Sequence, residues 1–285
     1  MLKIVIFLYL FLLLGCRHEP TVQTDKIKRI ALVIGNQNYR DNRLKNSIND
    51  AKGMAMVLES IGFDVLLKVD VTLKELNRSL ASLKEKIEPN NTMVFIYFAG
   101  HGNTLNRETS EEYLLMTDKE QASLVSIYKF YAFLREVKSR YNIIAIDACR
   151  DYRQAYISGN SKNFRGNLKS RSMRQGKGVK EKEIALFDNN YAYTMPRSTI
   201  VSYAAMHHQI ASDFSKYDKN HSSYAYALMK FLDDKEIPIE EVFRRVRVSQ
   251  LQESNGEQSN LEETNLEKNI WLVPTEATIA FMPPI

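Results

Sequence analysis

The chain has 285 residues, 44% of them hydrophobic and 26% charged, with 39 Lys and Arg against 34 Asp and Glu. That length suits one large domain or two small ones, and 11 Gly, 7 Pro and 2 Cys exclude collagen-like, disulfide-rich and largely disordered classes. A net charge of +5 points toward an anionic partner only if the cations cluster on a folded surface.

The first element stands apart. Lys3 precedes an unbroken apolar run from Ile4 to Leu14, followed by Gly15 and Cys16. As a helix the run spans about 16 Å, short of a bilayer core of roughly 30 Å, so an export signal is expected in place of a permanent span. Leu13-Leu14-Gly15-Cys16 resembles the lipobox of bacterial lipoproteins. The resemblance implies a signal peptide over residues 1–16, acylation of Cys16, and a mature chain anchored to a membrane of the bacterial envelope, facing the periplasm or the exterior. An ordinary signal peptide with an incidental cysteine is the alternative. With Cys16 set aside, Cys149 has no partner for an internal disulfide, which leaves an inert buried thiol or a reactive one.

Residues 17–28 read as a linker. Arg29 to Ile34 is a short apolar strand, and Gly35 to Tyr39 a turn-rich loop. Asn49 to Ile61 carries Ala51, Met54, Val57, Leu58 and Ile61 at helical spacing and is closed by Gly62. Phe63 to Val69 follows as a strand, Thr72 to Ile87 as a helix with a leucine stripe, and Thr92 to Phe98 as a fully apolar strand. Further on, Glu112 to Met116 reads as a short strand, Ser126 to Tyr141 as a helix, and Asn142 to Asp147 and Ile200 to Ala204 as strands; Tyr224 to Leu232 and Ile239 to Leu251 read as helices. The pattern predicts an α/β domain over residues 29–255: an open, mostly parallel sheet of about six strands with helices on both faces. Residues 256–285 are left as a C-terminal extension whose apolar tail, with Trp271, packs back on the domain.

In such sheets reactive groups collect beyond the carboxyl ends of the strands. One strand runs into Ala99-Gly100-His101-Gly102 and another into Ala148-Cys149-Arg150. Glycines flanking a histidine leave room for another backbone or a substrate to approach. A thiol with a pKa near 8.5 is mostly protonated at neutral pH, and an adjacent imidazole accepts its proton and later protonates a leaving amine. His101 and Cys149 are therefore a candidate base and nucleophile, and the N–H groups of Gly102 and Cys149 a candidate oxyanion hole. No cluster of His and Cys has zinc-ligand spacing, and Val33-Ile34-Gly35-Asn36 lacks the glycines of a nucleotide fingerprint. Neither a metal nor a cofactor is expected.

The strings AGHG and DACR, 48 residues apart from His101 to Cys149, resemble those of the caspase-like cysteine peptidases (clan CD, family C14), in particular the bacterial metacaspase and paracaspase branch. The likeness extends over ALVIGNQNY (31–39), LKNSINDAKGMAMVLESIGFDV (44–65), VFIYFAGHGN (94–103), IIAIDACRD (143–151), SYAAMHHQIASD (202–213) and IEEVFRRVR (239–247). It implies a caspase-like fold and a cysteine endopeptidase acting through His101 and Cys149 on a protein or peptide substrate. Asp147 stands where caspases carry glutamine, Asp213 where they carry arginine, and Asp50 matches the acidic substrate-binding residue of metacaspases and paracaspases. Three carboxylates around one pocket repel an acidic P1 side chain and favour Arg or Lys. A calcium requirement, known in some metacaspases, is left open by the sequence. A catalytically silent caspase-like binding domain is the competing class; it would be expected to have lost the His and Cys pair.

Residues 160–182 hold eight Lys and Arg, one Glu and three Gly, the composition of a mobile loop. By resemblance they mark the place where caspase-like enzymes are cut on activation. Without Lys3 and this segment, 30 Lys and Arg remain against 33 Asp and Glu. The positive excess belongs to one loop, so no nucleic-acid partner is expected.

Overall fold

A computed structural model describes residues 27–40, 42–104, 112–118, 123–150, 194–207 and 209–273. Cys16 and the basic segment 160–182 lie outside the described residues.

The parallel strands are β1 (Lys28–Gly35), β2 (Asp64–Val69), β3 (Thr92–Ala99), β7 (Tyr141–Asp147) and β8 (Thr199–Tyr203). Antiparallel β9 (Leu261–Thr264) completes a six-stranded sheet in the order β2-β1-β3-β7-β8-β9. This is the mostly parallel α/β sheet that the alternating pattern predicts. Its last strand lies beyond residue 255, in the stretch the sequence pattern leaves outside the domain.

Successive residues of a strand face opposite sides, and each side here has its own helices. On one side Ala31, Val33, Phe95, Tyr97, Ile143 and Ala145 pack against α1 (Ser47–Ser60), α4 (Ser223–Leu232) and α5 (Ile239–Ser254). On the other, Ile30, Leu32, Ile34, Val94, Ile96 and Phe98 meet α2 (Leu73–Lys86) and α3 (Tyr128–Val137). The leucine stripe of α2 buries Leu76, Leu80 and Leu83, and Thr72 starts the helix by a reciprocal capping box with Glu75. Ile270 and Leu272, flanking Trp271, are buried in the first core; the rest of the apolar tail lies outside the described residues. Among the described residues no helix is long and apolar enough to cross a membrane.

A second, three-stranded antiparallel sheet comprises β4 (Gly102–Thr104), β5 (Glu112–Leu115) and β6 (Leu124–Ser126). It continues directly from the loop after β3 and carries the strand predicted at Glu112 to Met116 away from the main sheet.

Candidate active site

Strands β3 and β7 are neighbours, with Ala99 paired to Asp147. Gly100 N–H donates to the Asp147 carbonyl at 3.2 Å. His101 and Cys149 each lie two residues past that pair, on chains whose spacing within a sheet is about 4.8 Å. The register therefore carries both predicted groups to the same end of the sheet. It also puts Tyr97, Asp147 and Cys149 on the side of α1, α4 and α5, because alternate residues share a face.

The two glycines do what their position suggests. A Cβ on Gly100 would stand 2.5 Å from the Tyr39 hydroxyl, and one on Gly102 would stand 2.8 Å from the Cys149 carbonyl oxygen and 2.7 Å from Ala148 Cβ. The loop bearing His101 thus lies directly against the backbone of the nucleophile candidate, at a distance only glycine allows.

His101 is fully buried. Its N–H donates to the Tyr39 hydroxyl at 3.0 Å, and that hydroxyl donates to the Leu115 carbonyl at 3.1 Å. The Tyr39 ring lies against the imidazole with centroids 4.5 Å apart. Nε2 is 2.7 Å from the Asn42 carbonyl oxygen. A carbonyl only accepts, so Nε2 carries the hydrogen and in the neutral ring Nδ1 keeps the lone pair. Tyr39 and Asn42 come from the loop after β1, and sequence reasoning did not single them out; a backbone carbonyl leaves no mark in side-chain identity.

Cys149 is a free thiol, 1% exposed. Its Sγ accepts the Ala211 N–H at 3.2 Å and lies 3.7 Å from the Ala211 carbonyl oxygen, to which it donates. The following residue, Arg150, is 2% exposed. Its Nε donates to Glu112 Oε1 at 2.7 Å, its guanidinium covers the Tyr203 ring at 3.8 Å, and Nη2 is 3.3 Å from His207 Nε2. Burial pushes the Glu112 carboxyl above the usual carboxylate range against the pull of Arg150. Thr104 Oγ1 donates to Glu112 Oε1 at 3.1 Å and lies 3.4 Å from the Arg150 carbonyl oxygen, so the small sheet sits against the segment after Cys149.

Of the three predicted carboxylates, two converge on one residue. Ser222, the N-cap of α4, gives its N–H to Asp50 Oδ1 at 3.0 Å and its hydroxyl to Asp147 Oδ2 at 2.6 Å. Tyr97 donates a second hydrogen bond to Asp147 Oδ2 at 2.9 Å. Asp50 sits in the first turn of α1 and also meets His221 Nδ1 at 3.0 Å, which raises the His221 pKa above its ordinary value. Asp213 takes a separate place: its Oδ2 accepts the Lys45 N–H at 2.9 Å and its carbonyl accepts from Asn46 Nδ2 at 2.5 Å, in the turn that leads into α1. All three carboxylates are buried. Ser222 is a further residue that sequence reasoning passed over, and His221, which by sequence reads as a solvated or partner-facing residue at a helix start, instead meets a buried carboxylate. Among the described residues no group of three or more His, Cys, Asp or Glu is placed to hold a metal ion.

A family profile described as Caspase domain, Peptidase C14, matches residues 28–270. No curated protein matches the chain. Solved structures share the fold at low identity. Protein GSU0716 from Geobacter sulfurreducens has a TM-score of 0.60 and 13% identity over 88% of this chain and 98% of its own. The Drosophila initiator caspase Dronc has a TM-score of 0.58 and 14% identity, covering 88% of this chain and 85% of its own. Caspase-1 from Spodoptera frugiperda has a TM-score of 0.60 and 12% identity, covering 88% and 92%.

Proposed function

The chain belongs to the caspase domain family of cysteine peptidases, and on that premise we propose that it is an active endopeptidase working through His101 and Cys149 and cutting after Arg or Lys. The observation that carries this reading is the common register of two strand ends, which brings a glycine-flanked histidine against the backbone of a free thiol. In the proposed reaction His101 Nδ1 takes the thiol proton and Sγ attacks the scissile carbonyl. The N–H groups of Gly102 and Cys149 hold the oxyanion, a type of interaction whose loss costs about 3 kcal/mol per donor. His101 then protonates the leaving amine as the C–N bond breaks, and water hydrolyses the thioester. The Asn42 carbonyl keeps the imidazole in the tautomer this requires. Sγ must leave its contacts with Ala211 for a substrate carbonyl to reach it.

Asp50 and Asp147, joined through Ser222, are the proposed partners of a basic P1 side chain, with Asp213, buried beside the turn into α1, as the third carboxylate. Their charges disfavour an acidic P1 group and stabilise a guanidinium or ammonium. Cys16 is the proposed lipid anchor, placing the enzyme on a membrane facing the periplasm or exterior. The specificity is read from kcat/KM for matched peptides with Arg, Lys or Asp at P1. Arg or Lys peptides are expected to be preferred, with about a hundredfold loss on Asp147→Asn, because a buried charge is left unpaired. Preference for Asp peptides by the wild type refutes the assignment.

A further inference from the structure

The carboxylate oxygen of Asp50 that accepts the Ser222 N–H also meets an imidazole: Oδ1 lies 3.0 Å from His221 Nδ1. An ionised carboxylate only accepts, so Nδ1 carries the hydrogen of that bond and Nε2 is the nitrogen that gains or loses a proton. Nε2 lies 3.9 Å from Asp218 Oδ2. The His221 side chain is 20% exposed beside a carboxylate that is fully buried, so solvent protons reach the imidazole and act on Asp50 through it.

Backbone contacts hold His221 in place. Its carbonyl accepts the Ser215 N–H at 2.7 Å and its N–H donates to the Asp218 carbonyl at 3.2 Å, in the turn that leads into α4. Helix α1 makes room for the ring, since a Cβ on Gly53, one turn after Asp50, would stand 3.2 Å from His221 Cε1 and 2.6 Å from Met229 Sδ of α4. The charged groups acting on the imidazole are Asp50 of α1, Asp218 of its own turn and Asp147 at the end of β7, and all three favour its protonated form. From α5, Glu253 is engaged by the Ser223 hydroxyl at 2.6 Å, and the Lys216 ammonium turns to the Gln252 and Glu253 carbonyls at 3.1 and 3.0 Å. The bond to Asp50 raises the His221 pKa above 6.5, which brings its change of charge toward neutral pH.

We propose that His221 sets the affinity of the pocket for a basic P1 side chain through its own proton: as imidazolium it offsets the charge of Asp50 and opposes a second cation, and as neutral imidazole it leaves the charge of both carboxylates to the substrate. The inference rests on the reading of Asp50 and Asp147 as the P1 carboxylates. It makes His221 a specificity-determining residue that acts through Asp50. Two cations within roughly 8 Å of each other in a half-buried site oppose one another enough to change affinity about tenfold. The coupling is reciprocal, so a bound cation makes the imidazole about tenfold more acidic.

The test uses the full-length chain carrying Cys149→Ala, which cannot cleave. Its affinity for a peptide with Arg at P1, and for the same peptide with citrulline as the uncharged isostere, is measured by fluorescence anisotropy from about pH 5.5 to about pH 8.5. The guanidinium stays protonated throughout. The Arg peptide is expected to bind about tenfold tighter at the upper end of the range than at the lower, and the citrulline peptide equally at both. His221→Asn keeps an amide donor for Asp50 but does not titrate, and is expected to hold the Arg affinity at its high-pH level across the range. Nuclear magnetic resonance of the His221 ring reads the same coupling without a substitution there: its pKa falls by about one pH unit on saturation with the Arg peptide and stays in place with citrulline. An Arg affinity that rises with pH equally with His221 and with Asn, or a His221 pKa indifferent to the Arg peptide, overturns the inference and leaves the P1 assignment standing. An Arg peptide that binds no better than its citrulline isostere at any pH refutes the P1 carboxylates themselves, and the role of His221 with them.

Discussion

Replacing Glu112 by Ala removes the carboxylate that faces a guanidinium buried to within 2% of full burial. The hydrogen bond of 2.7 Å from Arg150 Nε goes with it, and so does the acceptor that Thr104 uses. Among the described residues Arg150 Nη1 already lacks a hydrogen-bond partner, and the other carboxylate within ion-pair reach of the guanidinium is Glu263 at 3.8 Å, itself 42% exposed. Leaving one member of a buried pair costs about 3 to 5 kcal/mol. The Tyr203 face at 3.8 Å stays in place and holds the cation in both proteins, which puts the expected loss at the lower end, about 3 kcal/mol. For a domain of this size that corresponds to a fall in Tm of roughly 6 to 12 °C. Urea unfolding of the wild type, Glu112→Ala, and Glu112→Leu with Arg150→Met forms a direct comparison, since removing both charges abolishes the orphan and is expected to restore stability to within about 1.5 kcal/mol. A loss below 1 kcal/mol for Glu112→Ala, or a double variant as unstable as the single one, would refute the role given to the pair.

Gly102→Ala sets a Cβ against backbone that cannot rotate away, so kcat is expected to fall about a hundredfold while the fold survives with a cost of about 1 to 3 kcal/mol; peptide hydrolysis beside circular dichroism separates the two effects. The His221 pKa is raised in the folded protein, first by its hydrogen bond to Asp50. Its contribution to stability is thus fully present below the unfolded value of 6.5 and is lost as pH rises through the folded value. The stability gap between wild type and His221→Asn should accordingly be widest in acid and close above that window, and a gap that widens with pH contradicts the assignment. Incubated wild type is expected to cut itself after a basic residue within 160–182, where eight Lys and Arg lie, with Cys149→Ala intact; mass spectrometry of the fragments locates the cut.

Much of this architecture was readable in periodicity. The leucine stripe of α2 and the apolar runs of β1, β3 and β7 mark buried elements without any tertiary information, because both faces of the sheet are covered. Strand β9, with the sequence LEET, escapes such reasoning: it is a four-residue edge strand, mostly polar, that pairs across 58 to 64 residues with β8. The three-residue strands β4 and β6 are too short to show a period at all. His101 and Cys149 stood out because each ends an apolar strand beside residues that packing alone explains poorly. The Asn42 carbonyl, Ala211 backbone and Ser222 bridge come from loops and a helix cap distant in sequence, and only the fold brings them to the same place. Asp50 is singled out by sequence only as a pocket carboxylate; its contacts with His221 and Ser222, which account for its burial, come from the fold.

The most direct test of the proposed activity is mass spectrometry after exposure to an irreversible Arg-directed peptide electrophile. The account predicts a single adduct on Cys149, absent from Cys149→Ala and strongly slowed in His101→Ala. A wild-type protein that acquires no Cys149-dependent adduct and hydrolyses no basic peptide contradicts it, and leaves the caspase-like domain as a binding module.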